Sequence, residues 1–305
     1  MELLDWSLLN ATLRMVAPIL LAALGGMLCA RVGIFNVGLE GLILIGAFSG
    51  IAGNYYTHNV FFAIMIAAGA SLLFALLFGM MVVVFKANEI VVGVSINFLA
   101  LGLTTFLLRT IFHTKGAYYD KNMQGIGTWD IPLIKDIPVI GDIISGQSPL
   151  VYFAFLAAIA FYIFFYRTIF GFRLLAVGYN KVAASTLGLK AIRYQLFAIA
   201  ACGILCGIAG AQLSLGQVTM FSEGMTSGRG FIALVAMMLG QSHPFGILAS
   251  SILFGLMDAV STRLQGFSIP TEFTMMVPYV LTLAAMFFLR DKGVETNQTS
   301  QQSAR

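Results

Sequence analysis

The sequence predicts an all-α, polytopic integral membrane bundle of about nine spans, with short Gly-interrupted segments, and three observations carry that reading. Only 10% of the 305 residues are charged while 59% are hydrophobic, for a mean hydropathy of +0.92. A soluble domain has roughly 25% charged residues and 45–50% apolar ones, so the charge here is too sparse to solvate a globule of this size. The same numbers exclude a disordered chain, which needs low hydrophobicity and high charge. Second, the apolar residues fall in uncharged runs; about 180 of them, at about 20 per crossing, make about nine crossings. Third, two stretches that lead into such runs are dense in glycine, around residues 33–50 and 228–246.

The spans follow in chain order. Residues 15–30 form the first, ended by Arg31. It is preceded by Glu2 and Asp5 and followed by no small-x-small site, so it reads as a retained span and not a signal peptide. Residues 41–85 contain no Asp, Glu, Lys or Arg and hold two spans, with the turn at the polar stretch 54–59. Residues 90–108, 150–166 and 194–216 are single spans. Residues 231–240 are too short to cross alone and read as tilted, broken or re-entrant. Residues 245–257, extendable to 262, and 273–289 complete the set, with Asp258 and Arg263 marking the outer end of the former. Residues 1–290 thus read as one transmembrane domain, and the polar, Gln/Ser/Thr-rich residues 291–305 as a disordered cytoplasmic tail.

Two polar stretches orient the bundle. Residues 109–149 carry Arg109, Lys115, Lys121 and Lys135 against Asp120, Asp130, Asp136 and Asp142. Residues 167–193 carry Arg167, Arg173, Lys181, Lys190 and Arg193 with no acid. One span separates them, so they lie on opposite sides. The excess of cations places 167–193 in the cytoplasm, 110–149 outside, the N-terminus outside and the C-terminal tail inside. No basic cluster with interleaved aromatics speaks for nucleic acid, and no phosphate-loop or dinucleotide fingerprint appears. Cys29, Cys202 and Cys206 lie in apolar runs and read as packing residues. His58, His113 and His243 are scattered, and no metal site is expected.

Three stretches could carry chemistry. The first is Asn36-Val37-Gly38-Leu39-Glu40-Gly41, where an ionisable group borders a long uncharged run. A carboxylate at membrane depth faces a bundle interior or an aqueous path; the plainer alternative is a partly wet acid in the first turn of a helix. The second is Gly228-Arg229-Gly230-Phe231-Ile232-Ala233-Leu234. Paired interrupted segments in the two halves of a chain point to a central pathway. The third is the basic loop 171–189, whose middle reads as a short helix with Asn180 as N-cap and Gly188 as its stop. Such a helix could dock in a partner's groove, or the loop could rest on lipid headgroups. Ser95 and Asn97 are polar residues inside a span, able to meet a solute or to bond a neighbouring helix.

These stretches, together with Ala87-Asn88-Glu89-Ile90-Val91-Val92-Gly93-Val94-Ser95-Ile96-Asn97-Phe98-Leu99-Ala100-Leu101-Gly102, resemble in order the membrane subunits of bacterial ABC importers for simple sugars, nucleosides and branched-chain amino acids. The resemblance is closest to nucleoside permeases and covers about residues 13–290. The loop departs from the family pattern in carrying Lys181 where proline is common. The resemblance implies a non-enzymatic permease of the bacterial inner membrane that works by alternating access. It implies an ATP-binding subunit holding ATP and Mg, a second related permease in a heterodimer, and an extracytoplasmic binding protein or lipoprotein. No cofactor is expected on this chain. It further implies that Arg173, Gly178, Asn180, Ala183, Ala184 and Gly188 belong to a coupling helix seated on the ATPase. Asn36, Glu40, Ser95, Asn97, Phe98 and Phe231 would line the pathway. A sugar or amino-acid permease differs only in solute; an ion-coupled transporter would need membrane carboxylates beyond Glu40.

Overall fold

The computed structural model describes residues 6–121, 123–129 and 145–264. Among these are ten α-helices: α1 (Trp6–Ala30), α2 (Leu39–Thr57), α3 (Val60–Gly79), α4 (Glu89–Ile111), α5 (Pro149–Arg167), α6 (Ile169–Tyr179), α7 (Lys181–Thr186), α8 (Ala191–Ala211), α9 (Arg229–Leu239) and α10 (Pro244–Leu264). π-Helical turns, Met80–Val84 and Gln212–Val218, extend α3 and α8. Six of the described helices are long and apolar enough to cross a membrane: α1, α3 and α8 with their extensions, α4, α5 and α10. The count of nine is therefore not reached among the described residues, and the run 273–289 and the tail 291–305 lie outside them. α2 is nineteen residues long, but Glu40, Asn54 and two tyrosines dilute its apolar run. α9 has eleven residues, about 16 Å at 1.5 Å per residue, and is a half-helix as its length predicts. α1 begins nine residues before the expected span, because Arg14 interrupts the uncharged run without interrupting the helix.

Burial sorts the helices into two layers. The spans of α1 and α8 are 78% and 67% buried, those of α3 and α4 only 22% each. α3 and α4 turn Phe61, Phe62, Leu73, Val91 and Phe106 outward, the chemistry expected of a surface meeting hydrocarbon. Inside a bilayer no water is expelled when helices meet, so close backbone approach through small residues supplies the packing. α8 meets both α2 and α3 this way: a Cβ on Gly46 would lie 2.6 Å from Gly207 Cα, and one on Gly207 would lie 2.6 Å from Ala67 O. The Ser71 hydroxyl donates to Leu42 O at 3.0 Å and fastens α3 to α2.

The connections gather at two ends. At one lie the α1–α2 loop, residues 86–88, α6, α7 and the α9–α10 turn. At the other lie the α2–α3 turn, residues 112–129, 145–148 and 219–222. There β1 (Ala117–Tyr119) pairs antiparallel with β2 (Met220–Ser222), Tyr118 opposite Phe221. This ribbon is a small addition to a mostly helical fold that the sequence did not show, because three-residue strands leave no periodic signal to read. Phe112 stacks on Tyr118 at 3.9 Å and Phe48 packs edge-on to Phe221 at 5.2 Å, joining the ribbon to α4 and α2. The α2–α3 turn falls within the polar stretch expected, with His58 in the left-handed region and the Asn59 side chain accepting from Phe61 N–H.

Candidate functional site

α1 ends in a Schellman turn: Gly33 takes φ +76, its N–H reaches Ala30 O, and Ile34 N–H reaches Cys29 O. The chain then climbs along α4 before α2 starts. Glu89 Oε2 accepts from Phe35 N–H at 2.9 Å, and Asn97 Nδ2 donates to Val37 O at 3.0 Å while its Oδ1 accepts from Gly41 N–H at 2.8 Å. From Glu89 to Asn97 is eight residues of helix, about 12 Å of depth. Irregular backbone this far inside a bilayer persists only where protein groups satisfy it, and these side chains do so. Asn36 contributes from within the segment, its Oδ1 accepting from Gly38 N–H at 2.9 Å and its Nδ2 donating to Cys202 Sγ at 3.6 Å. Cys202 is thus an acceptor as well as the packing residue expected.

Glu40 closes the next contact. Its Oε1 accepts from Gly228 N–H at 2.8 Å and its Oε2 from Gly230 N–H at 2.6 Å. These are among the first N–H groups of α9, which no residue of α9 itself caps, and a carboxylate is favoured at this positive end of a helix. The approach needs glycine: a Cβ on Gly230 would lie 2.4 Å from Glu40 Cα. Between the two glycines Arg229 turns to α10, its Nη2 donating to Asp258 Oδ2 at 3.0 Å and its Nε at 3.3 Å. Asp258 therefore does not mark the outer end of a span as expected. It sits six residues short of the end of α10, mostly buried, because Arg229 neutralises it there. Arg263, nearer that end, hydrogen-bonds Ser7.

At the opposite edge of the α1–α2 loop stands α7, where the sequence puts a short helix. Asn180 Oδ1 accepts from Ala183 N–H at 3.0 Å as N-cap, and Gly188 stops the helix at φ +83. Ala184 is buried with Val177 and Ala191, while Ala183 and Arg173 are exposed. Gly178 abuts the end of α1 so closely that a Cβ there would lie 2.1 Å from Arg31 O. Lys181 Nζ donates to Gln195 Oε1 at 3.0 Å, and Gln195 Nε2 to Val32 O at 3.3 Å. Arg31 donates to Ser242 O at 2.9 Å and to the Tyr166 hydroxyl at 3.2 Å. One loop is therefore held by α4, α5, α6, α8 and the α9–α10 turn. Around α7, Tyr179, Val182 and Leu187 are 95%, 75% and 81% exposed.

Of the residues singled out in the sequence, the structure brings Asn36, Glu40 and Asn97 together and joins them to Gly178 through the α1–α2 loop. Ser95, Phe98 and Phe231 stay apart from this cluster. Ser95 donates to Val91 O in its own helix at 2.8 Å, and Phe98 and Phe231 are 70% and 44% exposed. Arg31, Glu89 and Gln195 were not foreseen; each sits beside a span end, where a charge or amide reads as a boundary. Nor was a small cavity of about 110 Å³ at the other end, lined by Asn54, Tyr55, His58, Asp120, Met123 and Gln124. Beside it the Tyr118 phenol is pushed above its usual range by desolvation, then by Asp120 and Tyr55. It stays a neutral donor at physiological pH.

The family described as branched-chain amino acid transport system / permease component matches residues 8–286. The chain is 36% identical over 289 residues to the nucleoside ABC transporter permease protein NupC of Lactococcus lactis subsp. cremoris MG1363, covering 91% of this chain and 90% of NupC. That strain also has a nucleoside ABC transporter permease protein NupB, 25% identical over 304 residues, covering 94% and 80%. The guanosine ABC transporter permease protein NupQ of Bacillus subtilis 168 is 35% identical over 289 residues, covering 90% and 89%. In fold, the chain is similar to a metal-chelate type ABC transporter solved in an inward-facing conformation, with a TM-score of 0.52 at 16% identity over 92% and 85% of the two chains.

Proposed function

The chain belongs to the family of branched-chain amino acid transport system permease components, and on that premise we propose that it is the membrane-spanning permease of an ATP-driven nucleoside importer. The observation that carries the mechanism is the continuous path from α7 to α9. Lys181 holds Gln195, Gln195 holds Val32, and the same loop leads to Glu40, which holds the N-terminus of α9. α7, with its exposed Tyr179, Val182 and Leu187, seats on the ATP-binding subunit, where ATP and Mg are bound. When the ATPases close, the movement of α7 shifts the α1–α2 loop and α9 with it, opening the pathway to one side and then the other. Glu40, Asn97 and Asn36 hold this hinge together; Ser95, Phe98 and Phe231, exposed on the single chain, face the pathway completed by a second, related permease. Similarity to the nucleoside permease NupC and the guanosine permease NupQ supports a nucleoside as solute, and the pair NupB and NupC in one strain supports two different permeases. An extracytoplasmic binding protein delivers the solute.

Among the described residues, the end that carries α6 and α7 holds Arg31, Lys86, Arg167, Arg173, Lys181, Lys190 and Arg193 against one acid, Glu89. That imbalance supports a cytoplasmic position for 167–193 in the inner membrane, with 110–149 outside. α2 supplies a crossing beyond the six long helices, and α9 enters the membrane as a half-helix. Co-purification from native membranes, with ATP hydrolysis measured with and without nucleosides and the recovered binding protein, tests the reading. An ATPase and a second permease, with hydrolysis stimulated by a nucleoside, are the expected result. Stimulation by sugars or amino acids alone would move the solute class. A lone permease driven by an ion gradient without ATP would overturn the mechanism.

A further inference from the structure

A groove of about 610 Å³ opens where α6 meets α8, within the roughly 300–1,000 Å³ of small-ligand sites. Its lining divides by chemistry. Arg173, Lys190 and Arg193 supply three cations, and residues 167–193 contain no Asp or Glu to answer them. None of the three side chains is hydrogen-bonded or ion-paired among the described residues. Phe170, Tyr194 and Phe197 form the apolar wall, with ring centroids 5.1 Å apart for Phe170–Tyr194 and 5.0 Å for Phe170–Phe197.

The order along α8 matches a bilayer. Lys190 and Arg193 stand at the start of the helix, and Tyr194 and Phe197 lie up to a turn deeper, where the span enters hydrocarbon. We propose that this groove is a binding site for an anionic phospholipid, with the headgroup phosphate on Arg173, Lys190 and Arg193 and the glycerol and upper acyl chain against the aromatic wall. Guanidinium groups grip phosphate through paired N–H donors, and each cation near an anionic leaflet adds about fivefold to binding. Arg and aromatic residues also occur in protein interfaces, but three cations with no acid among residues 167–193, ranked above an apolar wall that runs into the span, match a phospholipid headgroup over its acyl chain. A bound lipid would tie the segment that carries α7 to the inner leaflet.

The test uses the intact transporter reconstituted in nanodiscs, with Phe197→Trp as reporter and the parent complex as the background, since the chain has tryptophans of its own at Trp6 and Trp129. Brominated phosphatidylglycerol is expected to quench the reporter several-fold more than brominated phosphatidylcholine at the same mole fraction. K190Q/R193Q is expected to bring that preference close to parity. Should the double variant not assemble, the single variants K190Q and R193Q are each expected to lower the preference part of the way to parity. Native mass spectrometry of the unsubstituted transporter would show retained phosphatidylglycerol, lost in the variants. Equal quenching by the two lipids, or a preference unchanged by the substitutions, overturns the proposal. So does a preference seen in the permease alone but abolished on adding the ATPase, which would make the ATPase the occupant. Transport of nucleosides is not read in any arm, so the lipid site and the transport function fail independently.

Discussion

Both oxygens of the Glu40 carboxylate accept backbone N–H groups, those of Gly228 and Gly230. Hydrogen bonds to a charged group are worth about 1.5–3 kcal/mol each, and an N–H left unanswered in the interior costs about 1–3 kcal/mol. Glu40→Ala is therefore expected to lower the unfolding free energy by about 2–4 kcal/mol, and Glu40→Gln, which keeps one acceptor, by about half as much. Thermal unfolding followed with a thiol-reactive dye reads this directly, because Cys29, Cys202 and Cys206 are free and buried. A melt unmoved by Glu40→Ala would mean the carboxylate bonds contribute nothing. Gly230→Ala is expected to cost about 1–3 kcal/mol from overpacking, since the two nearest atoms its Cβ would strike are α2 backbone that cannot turn aside.

At the scale of elements, α7 is a six-residue helix whose existence depends on its ends. Asn180→Ala removes the cap, worth about 1 kcal/mol, and is expected to weaken ATPase binding several-fold while the melting of the spans stays within a degree or two. Retained affinity for the ATPase would remove α7 from the coupling path. Gln195 is the joint between α7 and the α1–α2 loop, since it bonds both Lys181 and Val32. Gln195→Ala should leave basal ATP hydrolysis in place and reduce its stimulation by nucleoside and binding protein several-fold. Full stimulation in that variant would show that force reaches the loop by another contact, such as Gly178 against Arg31.

For the whole molecule, the prediction concerns orientation. The chain's own cysteines are buried, so introduced ones report without background. A cysteine replacing His58 is expected to react with a membrane-impermeant maleimide in intact cells. One replacing Val182 should react only after permeabilisation. The reverse pattern would invert the bundle and move the ATPase surface away from α7.

How much of this was legible depends on the range of the interactions. Composition and uncharged runs fix the class and locate most helices, because desolvating charge is a local property of the chain. The short helix at 181–186 was equally readable, since Asn180 and Gly188 act on their own neighbours. The runs misjudge ends where a charge is tolerated, as at Arg14, and they miss the ribbon of Tyr118 and Phe221, which pairs residues about a hundred apart. They also read Asp258 as a boundary, because nothing local reveals Arg229 beside it. Burial and backbone freedom, read position by position along the chain, specify a membrane bundle with two glycine-rich interruptions. That these interruptions meet, with Glu40 of one capping the half-helix of the other, lies beyond any local signal, because the contact exists only once α2, α4 and α9 have packed.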